Sequence, residues 1–363
     1  MSQVTETQVR EILAGVNDPN TGTDLVTSGW LRGVGIHNGN VSIELRPGYP
    51  ADQFGDQLRI AIDTALQQVP GIEHVLVNCN WQVAAHKVQG EMSPPDGISN
   101  IIVVASAKGG VGKSTMAANL AFALHAEGAR TGILDADIYG PSMPRMLGIS
   151  GKPEVTDDKQ LLPMEAGGVQ VMSIGFLVEE DTPMIWRGPM VTSALQQLLT
   201  ETDWNTLDYL VVDLPPGTGD IQLTLAQKIP VAGAVIVTTP QDIALLDAVR
   251  GLQMFRRVEI PVLGIVENMA THICSNCGHE EALFGQGGGA GMAEQYRIPL
   301  LGRLPLDIRI RQQSDQGRPL VIADPDSDVA QKFREMALRT AGELSQQPKS
   351  RHIKLPNIVI QNS

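Results

Sequence analysis

Ile101-Ile102-Val103-Val104-Ala105-Ser106-Ala107-Lys108-Gly109-Gly110-Val111-Gly112-Lys113-Ser114-Thr115 is the stretch from which the rest of the chain can be read. Its first five residues form a continuous apolar run, the pattern of a strand covered on both faces. A glycine-rich loop follows, and residues 115–127, stopped by Gly128, are spaced as a helix. Strand, glycine loop and helix N-terminus together gather free backbone N–H groups around one point, which suits an anion. Gly109, Gly110 and Gly112 let those N–H groups approach phosphate oxygens with no Cβ in the way. The general pattern is G-x-x-x-x-G-K-[ST]. Here Ala107 replaces the first glycine and Lys108 adds a second lysine inside the loop. The spacing brings Val111 into the backbone cradle, sends Lys113 to the β and γ phosphates, gives Ser114 to magnesium and leaves Thr115 to hydrogen-bond a phosphate. Without an anion, lysines beside a helix N-terminus would oppose its dipole.

Outward from this loop, short apolar runs at 131–134, 209–212, 234–237 and 262–266 alternate with helical stretches, the last at 327–344. The pattern predicts an α/β domain whose mostly parallel sheet is covered by helices on both faces. Ligands of such sheets bind at the carboxyl ends of the strands. There the runs lead into Lys108, Asp135, Asp213, Thr238 and Asn268. Upstream, the pattern is that of a small α+β unit. It has a helix at 5–14, strands at 31–37 and 40–45 around the hairpin signal Asn38-Gly39, a helix at 51–68 and a strand at 72–77. The polar stretch HKVQGEMSPPDGIS at 86–99 reads as a linker. The expected division is therefore 1–85, linker 86–99, nucleotide domain 100–347 and tail 348–363.

Composition narrows the function. The 363 residues carry 27 Lys and Arg against 40 Asp and Glu, a formal net charge of −13, which speaks against general binding to nucleic-acid backbones. No apolar run is long enough to span a bilayer, and the first residues resemble neither a secretory signal nor a transit peptide. The expected compartment is the cytoplasm, without membrane or nucleic-acid partners. Three cysteines, Cys79, Cys274 and Cys277, make no disulfide framework. Cys79, expected just beyond the last small-domain strand, reads as packing.

The lysine at position 108 resembles that of the deviant Walker A ATPases, the group of MinD, ParA, the nitrogenase iron protein and Mrp. The resemblance implies a homodimer in which Lys108 reaches the partner's nucleotide and places positive charge on the transferred phosphoryl group. Two carboxylate motifs fit the same group: Asp135-Ala136-Asp137-Ile138-Tyr139-Gly140-Pro141-Ser142, and Asp213-Leu214-Pro215-Pro216-Gly217-Thr218-Gly219-Asp220. Asp213 looks like the Walker B residue that holds magnesium. No Glu follows it, so the resemblance gives activation of water to Asp137, with Asp135 supporting the magnesium shell. Gly217 and Thr218 would form a switch that senses the γ-phosphate. The alternative for these aspartates is turn formation or capping. No N-K-x-D guanine signature occurs. Asn268 is placed to contact the base, and Gly302-Arg303-Leu304-Pro305-Leu306 resembles a loop that covers adenine, so the nucleotide is read as ATP.

Beyond Asn268 stands Cys274-Ser275-Asn276-Cys277-Gly278-His279. Several readings compete for this pair. A structural zinc site takes four ligands, and one pair supplies half. A redox pair normally opens a helix, which this segment does not resemble. A plain loop with incidental thiols is a third reading. Two chains about a two-fold axis would present four thiolates, the ligand set of a cubane cluster. KGGVGKST, DADIYGPS, VDLPPGTGD and ENMA followed by CxxC, in that order, resemble the Mrp/ApbC iron–sulfur carrier ATPases. The N-terminal unit resembles the small domain of iron–sulfur assembly factors, although 45–50 lacks the reactive cysteine that stand-alone versions often carry. The resemblance implies a slow ATPase that carries a four-iron four-sulfur cluster on Cys274 and Cys277 at its dimer interface. Its partners would be cluster scaffold donors and apoproteins. The rivals are a positioning ATPase whose CxxC binds structural zinc, and a nucleotide-dependent reductase. Gly285 to Gly291 has near-dinucleotide glycine spacing with no strand before it and reads as a flexible loop.

Overall fold

The computed structural model describes residues 4–138, 140–177, 188–274 and 276–350. Tyr139, Ser275 and most of the expected tail, 351–363, lie outside them. In the N-terminal unit, α1 (Glu6–Leu13) starts at Thr5, whose hydroxyl accepts the Gln8 N–H while the Gln8 side chain accepts the Thr5 N–H. β1 (Leu31–His37) and β2 (Asn40–Leu45) pair antiparallel. Asn38 and Gly39 between them have φ of 46° and 79°, as a two-residue type I′ turn requires. α2 (Phe54–Leu66) buries Phe54, Leu58, Ile62 and Leu66, its one apolar stripe. It returns the chain to β3 (His74–Cys79), parallel to β2. Cys79 is thus the last residue of β3 and not beyond it, because the strand starts and ends two residues later than its apolar core suggests.

The second unit is built on β4 (Ile98–Ala105), β5 (Thr131–Asp135), β6 (Met164–Ala166), β7 (Val169–Ser173), β8 (Leu207–Asp213), β9 (Gly233–Thr238) and β10 (Val262–Glu267). β11 (His272–Ile273) and β12 (Glu280–Glu281) form a separate small hairpin, and β13 (Leu300–Arg303) completes the main sheet. The order of this eight-stranded sheet is β13-β10-β9-β4-β8-β5-β7-β6, parallel throughout except for β6 against β7. Every residue of β5, β8 and β9 is buried. Successive strand residues face opposite sides, so both faces of the sheet are covered. The helices are α3 (Lys113–Ala126), α4 (Met143–Met146), α5 (Gly188–Thr200), α6 (Asp220–Lys228), α7 (Asp242–Arg257), α8 (Gly288–Tyr296), α9 (Ile308–Asp315), α10 (Leu320–Ala323) and α11 (Asp328–Ser345).

α3 is buried without a break over 116–124. A helix apolar on all sides must be covered on all sides; it packs on β4, β5 and β8 and is capped by α10 and α11. The α/β expectation holds for the large unit, and the small α+β unit precedes it. Two local readings change. The glycines at 285–291 belong largely to α8, whose second residue, Gly289, donates its N–H to the buried Glu267 carboxylate. β4 begins at Ile98, inside the stretch expected to be linker.

The rest of that stretch is docked. Gln89 donates to the carbonyls of Ala226 and Ile229 (both 2.7 Å) and accepts the Val231 N–H at 2.9 Å. The Lys87 N–H meets the Pro348 carbonyl and the Ser350 N–H meets that of Ala85. Farther along the junction, Glu127, which ends α3, lies 3% exposed. Its Oε2 accepts the N–H groups of Gln53 at 3.0 Å and Phe54 at 3.1 Å. The Gln53 side chain makes no cap of its own, so a carboxylate of the large unit caps α2 of the small one.

Candidate functional site

The order of the sheet reverses about β4, and the loop leaving β4 lies where such a sheet forms its ligand crevice. Gly112 is the N-cap of α3 at φ 86°, and a Cβ there would collide with the amide of Asn268. Only glycine fits both demands. α3 opens at Lys113, two residues earlier than its spacing suggested, so Lys113, Ser114 and Thr115 form its first turn.

Lys113 is 6% exposed and takes its countercharge from Asp213 Oδ1 at 2.5 Å, with Asp137 Oδ2 at 3.6 Å. Ser114 Oγ lies 3.3 Å from Lys113 Nζ. The loop and the ends of β5 and β8 therefore bring Lys113, Ser114, Asp137 and Asp213 to one point. Asp213 Oδ2 is buried, and no hydrogen bond of ordinary geometry reaches it among the described residues. A carboxylate oxygen in that state costs free energy unless something fills its lone pairs. With the Ser114 hydroxyl on the same lysine, it is the donor set a hard cation takes. Burial raises the Asp213 carboxyl above the usual range, against the pull of Lys113.

Asp135 is placed differently. Its Oδ1 accepts the Asp137 N–H, and its Oδ2 accepts the N–H groups of Ser142 and Met143 and the Ser173 hydroxyl. Burial, with the Asp213 charge close by, pushes its carboxyl well above the usual range. Asp135 thus folds the loop that presents Asp137, a role the motif alone did not disclose.

Lys108 stands exposed at the loop tip, and its backbone carbonyl accepts the Ser106 hydroxyl at 2.9 Å. Its side chain makes no hydrogen bond or ion pair among the described residues. Gly217 donates to the Ser106 carbonyl at 2.8 Å, which puts Thr218 beside the start of the same loop. Asn268, buried, sends Nδ2 to the Val111 carbonyl at 2.8 Å and receives its own backbone position from Thr238. Its amide therefore braces the phosphate loop. Leu304 donates to the Glu267 carbonyl and Leu306 to that of Thr271, holding buried Pro305 next to the end of β10. Gly302 and Arg303 of the expected adenine loop are strand residues of β13.

Six residues beyond Asn268, at the same edge of the sheet, the cysteines occupy the turn between β11 and β12. Cys274 donates its N–H to the His279 carbonyl and accepts that of Gly278. Backbone N–H groups of Asn276 and Cys277 hold the Cys274 thiol below its usual range, which favours the thiolate. Cys277 is exposed. No group of three or more His, Cys, Asp or Glu among the described residues could hold a metal ion. Glu267 was missed from the sequence; buried, it joins Arg303 (2.9 Å) to the first turn of α8.

Comparison with known proteins agrees with this geometry. A family model described as the NUBPL iron-transfer P-loop NTPase matches residues 97–341, and one described as iron–sulfur cluster assembly protein matches 6–78. An iron–sulfur cluster carrier protein of Pseudomonas fragi is 59% identical over 76% of this chain and 97% of its own length. One from Haemophilus influenzae is 50% identical over 93% of this chain and 92% of its own. Among solved structures, an ADP-bound nucleotide-binding protein of Archaeoglobus fulgidus is 39% identical. It covers 66% of this chain and 93% of its own at a TM-score of 0.58.

Proposed function

Because this chain belongs to the iron–sulfur cluster carrier family of P-loop NTPases, we propose that it hydrolyses ATP slowly and carries a four-iron four-sulfur cluster between two copies of itself to apoproteins. The observation that carries this reading is the placement of two free thiols per chain, Cys274 half-buried and Cys277 exposed, at the edge of the sheet that holds the phosphate loop. A cubane needs four thiolates, and a two-fold axis supplies them. Support for that axis comes from Ile243, Leu246 and Leu283, all exposed. The segment carrying Leu283 leads to Gly288, which abuts Leu245 and the Pro240 carbonyl, so the chain leaving the cysteine hairpin packs at the start of α7.

In this reading the loop N–H groups from Gly109 to Thr115 cradle the phosphates and Lys113 moves from Asp213 onto them. Magnesium would be held by Ser114 and Asp213 and would neutralise phosphate charge. Asp137, beside Lys113, accepts the proton of the attacking water. Lys108 of the partner subunit meets the charge that develops on the transferred phosphoryl group. Asn268 and Pro305 border the base. Gly217 hydrogen-bonds the loop directly and Thr218 follows it, so the pair would sense the nucleotide. The division into 1–85, 86–99, 100–347 and 348–363 is read as assembly domain, docked linker, ATPase and tail. No helix among the described residues is long and apolar enough to cross a membrane, in keeping with a cytoplasmic carrier that takes clusters from scaffold donors.

The test is transfer. Anaerobically loaded protein should activate an apo four-iron four-sulfur enzyme, and the Cys274→Ala, Cys277→Ala double variant should not. Equal activation by the double variant would place the cargo elsewhere. Zinc without sulfide on the wild type would favour the zinc-stabilised ATPase.

A further inference from the structure

A cavity of about 300 Å³ lies where the small unit, the linker and the end of α11 meet. Its walls include Arg32 and Arg46 from the hairpin, Lys349 from the end of the chain's described part, and Trp30 and His86. No aspartate or glutamate lines it. In a chain of net charge −13, three cations around one hollow are a local reversal of sign. None of the three enters an ion pair among the described residues.

The fold assembles this cluster. The β1–β2 ladder pairs Leu31 with Leu45 and then Gly33 with Glu44, which leaves Arg32 as the extra residue of a bulge. A bulge re-aims the side chain it carries, here next to Arg46, the residue after Leu45. Like charges set side by side on a ladder are unfavourable unless something lies between them. From the other wall, Lys349 is brought in by the bridge between His86 and Lys349. His86 is 3% exposed. Its Nδ1 and backbone N–H both go to Asn100 Oδ1 at 3.0 Å, and the Ser345 backbone lies against the ring from the other side. Asn100 is itself fixed, giving Nδ2 to the carbonyls of Ala84 and Asp208. The imidazole is thus locked in place in the wall of a cationic cavity.

We infer that this junction is a binding site for a phosphate group, held by Arg32, Arg46 and Lys349 with His86 at its inner wall. Guanidinium pairs match the oxygens of a tetrahedral dianion better than a single carboxylate, and three phosphate oxygens offer acceptors to both arginines and to Lys349. The site is separate from the phosphate loop and draws on both units, so its occupant links them. It does not depend on the nucleotide or the cluster.

The test is calorimetric titration of the full-length protein, without nucleotide, with inorganic phosphate in one arm and phosphoserine in the other, at constant ionic strength. Saturable binding with a Kd below about 1 mM, weakened at least tenfold in the Arg32→Ala, Arg46→Ala double variant, is the expected result. The arm that binds more tightly identifies free phosphate or a phosphate monoester as the source. Lys87→Ala is carried alongside; it removes a neighbouring charge that does not line the cavity and should bind as the wild type does. Both arginines are exposed, and thermal melting confirms that the double variant is folded. No saturable binding, or equal affinity in wild type and double variant, would overturn the site.

Discussion

Replacing Glu127 by alanine removes the carboxylate that caps α2 from the end of α3. Two backbone N–H groups lose their acceptor. Gln53 is exposed, so its N–H can turn to water. Phe54 is 3% exposed, so its N–H is left dry. An N-cap deletion costs about 0.5–2 kcal/mol and a stranded buried donor about 1–3 kcal/mol. With one donor rehydrated, the net loss should be about 2 kcal/mol, close to thirtyfold in the opening equilibrium of the α2 terminus. Hydrogen exchange reads this directly, as about thirtyfold faster exchange at the first turn of α2 with the β8 and β9 core unchanged. Glu127→Gln keeps an acceptor and should recover most of the protection. The pH dependence has a definite sign. Burial raises the Glu127 carboxyl above its ordinary 4.5. Between that value and the raised one, the folded state binds more proton than the unfolded. Wild-type stability relative to Glu127→Gln should therefore rise as pH falls through this window and level off below it. Unchanged exchange at the α2 terminus in Glu127→Ala would mean that Glu127 does not cap α2.

Other outcomes follow from the same geometry. Lys113→Ala leaves Asp213 buried without its countercharge and should lower stability by about 3–5 kcal/mol in denaturant titration, with loss of ATP binding in a fluorescent-nucleotide assay. Asp137→Asn should bind ATP normally and lose about 10²-fold or more in hydrolysis, because the proton acceptor is gone while the cradle stays; equal loss of binding would move Asp137 out of that role. Lys108→Ala should keep the fold and nucleotide binding of one protomer yet lose about 10³-fold in hydrolysis, and mixing it with a hydrolysis-dead Asp137→Asn protein should restore part of the rate if the lysine acts across the interface.

Much of this was legible in the residues because the signals were local. Asn38-Gly39 names its own turn, the glycines and lysine of 109–113 name an anion cradle, and short apolar runs of four or five residues between helical stretches suit strands covered on both faces. What was not legible depends on partners distant in the chain. Glu127 meets α2 74 residues upstream. Asn268, read as a base contact, spends its amide on the Val111 carbonyl 157 residues away. α8 was hidden by its glycines: Gly289 needs to lack a Cβ because Glu267 occupies that space, so a composition that signals a loop instead records close packing. Asp135 and Asp137 are two residues apart and look equivalent, yet the fold saturates one with hydrogen bonds and sets the other beside Lys113.

With the cargo between two chains on Cys274 and Cys277, native mass spectrometry of the anaerobically reconstituted protein, with iron and sulfide measured on the same sample, should find a dimer carrying about four irons and four sulfides, reverting to cluster-free protein in the Cys274→Ala, Cys277→Ala variant. A full cluster on a single chain, or about one zinc per dimer with no sulfide, would contradict that placement.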